Sequence, residues 1–400
     1  MAIGTRRKNL ARKINTYRLR ANRSPQVFLV PGTTQIGIHK AVRKLEKREK
    51  LLIPITMIIF SIAGATTGMA EESIIFVPIG IAIARAMGYD AITGTAMISI
   101  GAASGFIGGM MNPFTVGVAQ SIAEVPLFSG IGFRFAIYLF VLSLAIFYVM
   151  RYASKVKKNP EKSVMYDIEM KEKEKRKDLQ AGQFEEFKLR HALVLLIIVG
   201  GLAFNMYGVF EWGWYLTELT ASFIIIGFAS GLVGGIGINR LFDSFVEGMK
   251  LVAFGALIVG FARAILVVME NGVIIDTMIN GLASVISALP NTLNVIGMFF
   301  VQVVINFFIP SGSGQAATTM PIMTPLADLL GIERQVAVLA YQYGDGITNS
   351  IIPTSAALMG YLAVAGIPYE RWVKIIWKLI IGWLIIGAIA LVAAVLVGVQ

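Results

Sequence analysis

Long uninterrupted apolar stretches constrain this chain more than any other feature. At about 1.5 Å per residue, a helical stretch of roughly 20 apolar residues crosses the hydrocarbon core of a bilayer. The chain has 400 residues, of which only 15% are charged, and its mean hydropathy is +0.72. The pattern predicts an all-α polytopic membrane protein. The clearest predicted spans are 130–150, 192–210, 218–237, 251–269 and 376–398.

The net charge of +11 is concentrated in two segments. Residues 1–50 carry 14 Lys and Arg against 2 acids, and residues 151–191 carry 12 against 8. Basic residues that flank membrane spans mark the cytoplasmic side. We therefore predict that both segments are cytoplasmic and face anionic lipid, and we expect no nucleic-acid partner.

An internal repeat organises the apolar part. Residues 51–88 align without gaps on residues 294–331, with Pro78 on Pro321 and Gly88 on Gly331. Two related units in one chain are typical of transporters. The predicted organisation is a basic, poorly ordered segment 1–35, an incomplete first repeat 36–150, a charged cytoplasmic linker 151–191 and a second repeat 192–400. Fewer spans precede the first aligned segment than the second, so we expect about three spans to be missing from the first half.

Each repeat contains two polar breaks at membrane depth. The breaks near 68–73 and 311–316 predict the tips of re-entrant hairpins, whereas those near 110–115 and 345–355 predict the unwound middles of helices. Unsatisfied backbone groups in hydrocarbon cost several kcal/mol each, so such breaks persist only where protein, water or a ligand supplies hydrogen bonds. The charge distribution then gives the two repeats opposite orientations, which predicts two inverted repeats.

The longest motif blocks resemble a known family. They are "GFIGGMMNPFTVGVAQSIAEVP", "FIPSGSGQAATTMPIMTPLADLLG" and "YGDGITNSIIPTSAALMGYLAVAGIP". Together with their surroundings, from about residue 36 to the end, they look like the YfcC-like branch of the anaerobic dicarboxylate carrier (DcuC-like) family. The resemblance implies a secondary transporter of the inner membrane that carries small carboxylate-bearing solutes, either four-carbon dicarboxylates or basic amino acids such as arginine exchanged for ornithine. It also implies a homodimer.

The predicted binding residues are the polar side chains and glycines of the breaks, because a carboxylate can be held by hydroxyls, amides and closely approaching backbone. An ordinary loop, a proline kink or a wet vestibule would use the same residue types. The candidates for substrate or ion binding are Ser311, Gly312, Ser313, Gly314, Gln315, Thr348, Asn349, Ser350, Pro353, Thr354, Ser355, Glu71, Glu72, Ser73, Asn112, Pro113 and Thr115. Secondary candidates are Tyr343, Asp345 and Arg263, the last of which could pair with Glu270 instead.

Several functions are disfavoured by what the sequence lacks. It has no cysteine and only two histidines, His39 and His191, both in charged segments. We expect no catalytic residues, no cofactor and no metal site beyond one for Na⁺, with Na⁺ or H⁺ as the coupling ion. The sequence therefore predicts a transporter and not an enzyme. The alternative is a truncated membrane fragment that does not transport.

Overall fold

The computed structural model describes residues 49–177, residues 189–249 apart from 213, 215, 247, a few isolated positions between 264 and 284, and residues 291–399. Within these residues the chain is helical, with no strand. The labelled helices are α1 (Glu49–Thr67), α2 (Val77–Ala86), α3 (Ala91–Gly108), α4 (Val118–Ile122), α5 (Ile131–Lys158), α6 (Tyr166–Lys177), α7 (Leu189–Trp212), α8 (Leu216–Val233), α9 (Asn291–Phe308), α10 (Gly312–Leu329), α11 (Arg334–Thr348), α12 (Ala356–Ala365) and α13 (Tyr369–Val397).

Two compact units divide the chain. The described residues of the smaller unit lie within 189–249 and form α7 and α8, which pack against each other. The buried hydroxyl of Ser222 on α8 donates to Asn205 Oδ1 on α7. A hydroxyl bonded to an amide between apolar helices satisfies both polar groups where water is scarce.

The larger unit contains the remaining labelled helices, and α3 lies at the centre of its first part. Helices α1 and α2 both pack along α3, almost every residue of which is buried. Glycines allow this close packing, because a Cβ at Gly105 would lie 1.8 Å from the carbonyl oxygen of Ser61 and one at Gly64 would lie 2.1 Å from that of Ala102. Small residues of this kind let two helix backbones touch.

The element order of the first part recurs in the second. Helices α9 and α10 pack along α11, as α1 and α2 pack along α3, and each group is followed by a short helix and then a long one. Gly88 and Gly331, which the sequence alignment pairs, both adopt a left-handed conformation, with φ of +80° and +65°. The two long helices, α5 and α13, contact each other, and Trp383 Nε1 donates to the carbonyl of Val141 over 3.0 Å.

The charged segment 151–191 is more structured than a linker where it is described. Its first residues continue α5 to Lys158, and a turn then leads into α6. Tyr152 and Ser163 both donate to Asp90 Oδ2, at 2.6 and 2.5 Å. In addition, Arg85 forms an ion pair of 2.9 Å with Glu169. These bonds attach the segment to the start of α3 and the end of α2.

Three described helical stretches are long and apolar enough to cross a membrane: Ala91–Ile122, Ile131–Lys158 and Tyr369–Val397. The predicted spans 130–150 and 376–398 correspond to α5 and α13, except that α13 ends at Val397, and 192–210 lies within α7. The predicted span 218–237 is too long, because α8 ends at Val233. Residues 1–35, and most of 251–269, lie outside the described residues.

Candidate functional site

The first helix interruption separates α3 from α4 and has a local chemical cause. Gly109 adopts a left-handed conformation with φ of +51° and caps α3. Asn112 then begins a short π-helical segment, Pro113–Gly117, in which its side chain accepts a bond of 3.0 Å from the N–H of Phe114. Glycine ends a helix readily, and proline is tolerated in the first turn of the next one. The predicted break near 110–115 is therefore present.

The second interruption separates α11 from α12. Helix α11 ends at Thr348, and Ser355 caps α12 by accepting a bond from the N–H of Leu358. Pro353 lies between the two helices. Thr354 bonds back to the carbonyl of Phe307 at the end of α9 over 2.8 Å. The non-helical stretch thus lies within the predicted range 345–355 but is shorter.

Asn306 of α9 forms hydrogen bonds to three groups at the end of α11, beside the second interruption. Its Nδ2 group lies 2.9 Å from the carbonyl oxygen of Asp345, 2.7 Å from Thr348 Oγ1 and 3.1 Å from Asn349 Oδ1. The side chain is fully buried. The sequence analysis did not select Asn306, although an amide inside an apolar helix is itself a signal of a functional or structural contact.

The turn between α1 and α2 contacts the first interruption. Gly68 has a φ of +68°, and a Cβ there would lie 2.5 Å from Asn112 Oδ1. Only glycine therefore fits this turn without displacing the asparagine.

The turn between α9 and α10 reaches both interruptions. A Cβ at Gly312 would lie 2.4 Å from Thr115 Cγ2 and 3.6 Å from Asp345 Oδ2. Tyr341 also donates to the carbonyl of Gly312. Gly312 thus brings Thr115 of the first part next to Asp345 of the second.

The predicted hairpin tip 311–316 contains the first turn of a helix, because α10 begins at Gly312. Ser311 caps α10 by accepting a bond from the N–H of Gly314. The side chain of Gln315 donates to Gln302 Oε1 over 2.7 Å and to the Gln302 carbonyl over 2.9 Å. A serine followed by small residues is a favourable helix start. Ser313 is partly buried and lies within this same turn.

Glu71, Glu72 and Ser73 follow the first turn in a 3₁₀ segment, Glu71–Phe76. Ser73 is buried and bonds to the hydroxyl of Tyr361 on α12 over 2.6 Å. Glu71 is exposed and Glu72 is partly buried. Neither glutamate forms an ion pair with a described residue. Their position fits the wet vestibule better than a pairing with a base.

Three buried polar atoms without a partner belong to the turns and interruptions described above. Within the described residues they are Thr115 Oγ1 and Asp345 Oδ2, whose residues lie beside Gly312, and Asn112 Nδ2, whose residue lies beside Gly68. Each parent side chain is at most 1% exposed. Because a buried polar group without a hydrogen bond costs about 1–3 kcal/mol, such atoms typically face a ligand, an ion or ordered water. Ser350 is also buried, and it lies in the interruption after α11.

Two other candidates differ in outcome. Tyr343 is fully buried and its hydroxyl has no hydrogen-bond partner within the described residues, but it interacts electrostatically with Arg134 and not with Asp345. Arg263 lies outside the described residues.

Arg134 is a buried cation that the sequence analysis missed. It is fully buried in α5 and donates to the carbonyls of Ser129, Phe128 and Met110, at 2.6, 3.1 and 3.1 Å. Its Nε has no partner within the described residues. Its position near the start of the predicted span 130–150 was the available signal, because an arginine in an apolar helix is rarely without function.

Comparison with known proteins gives a consistent match. Residues 28–396 match the family model described as a C4-dicarboxylate anaerobic carrier, DcuC. The chain is 37% identical to an Escherichia coli K12 protein named "Putative basic amino acid antiporter YfcC", covering 93% of this chain and 75% of that protein. It is 31% identical to an uncharacterised Haemophilus influenzae protein, covering 91% and 72%.

A solved structure, that of the Alcanivorax borkumensis YdaH transporter, matches with a TM-score of 0.49 and 14% identity over 93% of this chain and 85% of that one. The family model and the two relatives establish the assignment. The chain belongs to the C4-dicarboxylate anaerobic carrier family and is a membrane transporter, not an enzyme.

Proposed function

We propose that the protein is a polytopic secondary transporter of the inner membrane that exchanges small carboxylate-bearing solutes, with Na⁺ or H⁺ as the coupling ion. One observation carries this proposal: Thr115 and Asp345 both lie beside Gly312, and each has a buried side-chain oxygen without a partner among the described residues. Interrupted helices offer N–H groups to anions and carbonyls to cations without a formal charge, as in other transporters.

The architecture we propose is two inverted repeats, each with a re-entrant hairpin. The recurring element order, α1 to α5 and α9 to α13, supports it. So do the equivalent left-handed glycines, Gly88 and Gly331. In this arrangement residues 1–50 and 151–191 face the cytoplasm. Movement of the hairpins and interrupted helices relative to the rest of the protein would then provide alternating access.

The surface of the long helices supports contact with lipid. Phe140 on α5 is 64% exposed and Ile389 on α13 is 64% exposed. Large exposed apolar side chains along such helices suit the acyl chains of a bilayer. A homodimer would cover part of this surface.

Two substrate classes fit the site. The family description names C4-dicarboxylates, whereas the name of the Escherichia coli relative refers to basic amino acids. Both classes carry a carboxylate. A basic amino acid also carries cationic groups, for which the unpartnered Oδ2 atom of Asp345 is a suitable acceptor.

The test is uptake into proteoliposomes containing the purified full chain. Labelled succinate, fumarate, arginine and ornithine are each offered with the unlabelled solute inside, under Na⁺ or H⁺ gradients. We expect saturable exchange of one class. No saturable uptake of any of these solutes, under any gradient, would falsify the proposal.

A matched pair of variants assigns the activity to the site. Gly312→Ala places a Cβ 2.4 Å from Thr115 Cγ2, whereas Gly132→Ala, also in a helix, meets nothing within 4 Å. Because the first change must displace a side chain of the site, we expect at least about a tenfold loss of uptake. Gly132→Ala should stay within about twofold of the unaltered chain. Equal uptake by the two variants would contradict this placement of the site.

A further inference from the structure

The first helix interruption is bonded by side chains from two other helices. Gln342 Nε2 of α11 donates over 2.6 Å to the carbonyl of Phe106, which lies in the last turn of α3. Arg134 Nη2 of α5 donates over 3.1 Å to the carbonyl of Met110, which lies just beyond the end of α3. A helix leaves its last carbonyls without an intrahelical partner, and these two side chains bond to carbonyls in that region.

The same guanidinium also bonds to the loop between α4 and α5. Arg134 donates to the carbonyls of Ser129 and Phe128, at 2.6 and 3.1 Å. Gln120 of α4 accepts a bond of 2.6 Å from the N–H of Phe128 and donates over 3.1 Å to the carbonyl of Ser129. The backbone of these two loop residues is therefore held by α4 and α5 together.

This loop contains strained backbone. Glu124 and Phe128 have φ of +56° and +60°, in the left-handed region that favours glycine. Such residues cost free energy, persist only where the surroundings fix them, and cluster at functional parts of proteins. At Phe128 the surroundings are known, because Gln120 binds its N–H and Arg134 binds its carbonyl.

The loop is also bonded to α11, the helix that carries Asp345. Gln335 at the start of α11 is 1% exposed. Its Oε1 atom accepts bonds of 2.9 Å from Gln120 Nε2 and 3.1 Å from Ser129 Oγ. Arg134 therefore belongs to a chain of hydrogen bonds that leads from the first interruption, through the loop, to α11.

The charge of Arg134 is balanced by backbone. The side chain is fully buried and forms no ion pair with an acid among the described residues. A buried charge is costly unless it is well bonded, and the C-terminal end of a helix carries partial negative charge that attracts a cation. Bonds from a charged donor are also stronger than neutral ones. Removing this guanidinium should therefore loosen the carbonyls that it binds.

We propose that Arg134 is a positioning residue for transport. It fixes the carbonyl of Met110 to the loop before α5 and so holds Asn112 and Thr115 where the proposed function requires them. Within the described residues its hydrogen bonds go to backbone carbonyls and to none of the candidate binding side chains. Arg134 therefore acts through the backbone of the first interruption. This inference rests on the proposed function and adds a residue that the function needs.

The first test measures opening of the interruption without any substrate. The full chain in detergent has no cysteine, and Val116 is fully buried in the π-helical segment. Val116→Cys therefore reports local opening by its rate of maleimide labelling. Arg134→Met removes every donor, and we expect a labelling rate at least about tenfold higher. Arg134→Lys keeps the charge and several N–H donors and should stay within about threefold.

Two controls accompany the labelling. Arg151→Gln should leave the rate unchanged, since Arg151 is exposed on the same helix. A second reporter, Ala84→Cys, is equally buried in α2, and its labelling should not respond to Arg134→Met. Should Arg134→Met fail to fold, Arg134→Gln, which keeps only an uncharged amide, should raise the Val116→Cys rate at least about fivefold. Unchanged labelling in a folded variant, or equal rises at both thiols, overturns the proposal.

The second test measures uptake by the Arg134 variants in proteoliposomes, with whichever of succinate, fumarate, arginine or ornithine the unaltered chain exchanges. Arg134→Met should raise KM at least about tenfold and change the maximal rate per folded molecule less than about threefold, and Arg134→Lys should restore KM. An unaltered KM together with a lower melting temperature means a loss of stability alone and overturns the proposal. If the unaltered chain takes up none of these solutes, the proposed transport fails, whereas the labelling still decides whether Arg134 holds the interruption.

Discussion

Removing one hydroxyl should loosen the turn between α1 and α2. Tyr361 on α12 bonds to Ser73 and to the carbonyl of Ala70, both over 2.6 Å. Tyr361→Phe removes both bonds and leaves the ring in place. A hydrogen bond contributes about 0.5–1.5 kcal/mol net. The two hydroxyls share two protons among these contacts and the Ser73–Ala70 contact, so Tyr361 accounts for one bond at a time. Because Ser73 can still donate to the Ala70 carbonyl over 2.7 Å, we expect a loss of about 1 kcal/mol and not twice that value.

The loss should appear as a higher rate of local opening. Because the chain has no cysteine, Met69→Cys introduces a single thiol into this half-buried turn. If the turn opens and closes faster than the reagent reacts, the maleimide labelling rate follows the open population. A loss of about 1 kcal/mol raises that population about fivefold.

The control for this labelling experiment is Tyr207→Phe, since Tyr207 is 54% exposed. In the Met69→Cys background it should leave the labelling rate unchanged. A Tyr361→Phe rate within about 1.5-fold of the control would refute the reasoning, because the hydroxyl would then contribute under about 0.3 kcal/mol.

Two further changes test the packing and the docked segment. Gly105→Ala places a Cβ 1.8 Å from the carbonyl oxygen of Ser61 and should destabilise the protein by about 1–3 kcal/mol or more, which is measured as a lower melting temperature. The control Gly132→Ala should leave the melting temperature unchanged. Equal melting temperatures for the two variants would contradict the close packing of α1 on α3. Hydrogen bonds from Arg371 lower the pKa of Asp167 to about 2 from 3.8. The contribution of the ionised Asp167 carboxylate to stability is therefore present above about pH 4 and is lost as the pH falls through about 2. The melting temperatures of the unaltered chain and Asp167→Asn should therefore converge over that range, and a pH-independent difference would contradict the bonding.

The sequence could predict the interruptions because their causes are local. Gly109 and Pro113 end one helix and start the next, and Pro353 and Ser355 do the same in the second part. The small residues after Ser311 were harder to interpret. They were predicted as a hairpin tip. A capping serine followed by small residues also starts a helix, and helix α10 begins there.

The remaining contacts could not be predicted because they join distant parts of the chain. Thr115, Gly312 and Asp345 meet only when two separate turns and two interruptions are placed together. Arg134 could be recognised as unusual, but its carbonyl partners depend on the path of the loop before it. The docked part of segment 151–191 was missed for a related reason, since a high density of charge favours a solvated linker unless buried partners such as Asp90 are known.

The polar interior of this protein contains two kinds of buried polar group. Some groups are bonded by fixed side chains, as Asn306 and Trp372 do at the second interruption. Others, around Gly312, are left without a protein partner in the described part of the chain. If all of these groups were satisfied internally, no ligand could gain by binding there. If none of these groups had a hydrogen-bond partner, the interruptions would not be stable at membrane depth. The fixed bonds therefore stabilise the second interruption, and the unpartnered oxygens of Thr115 and Asp345 are where the proposed function places the transported group.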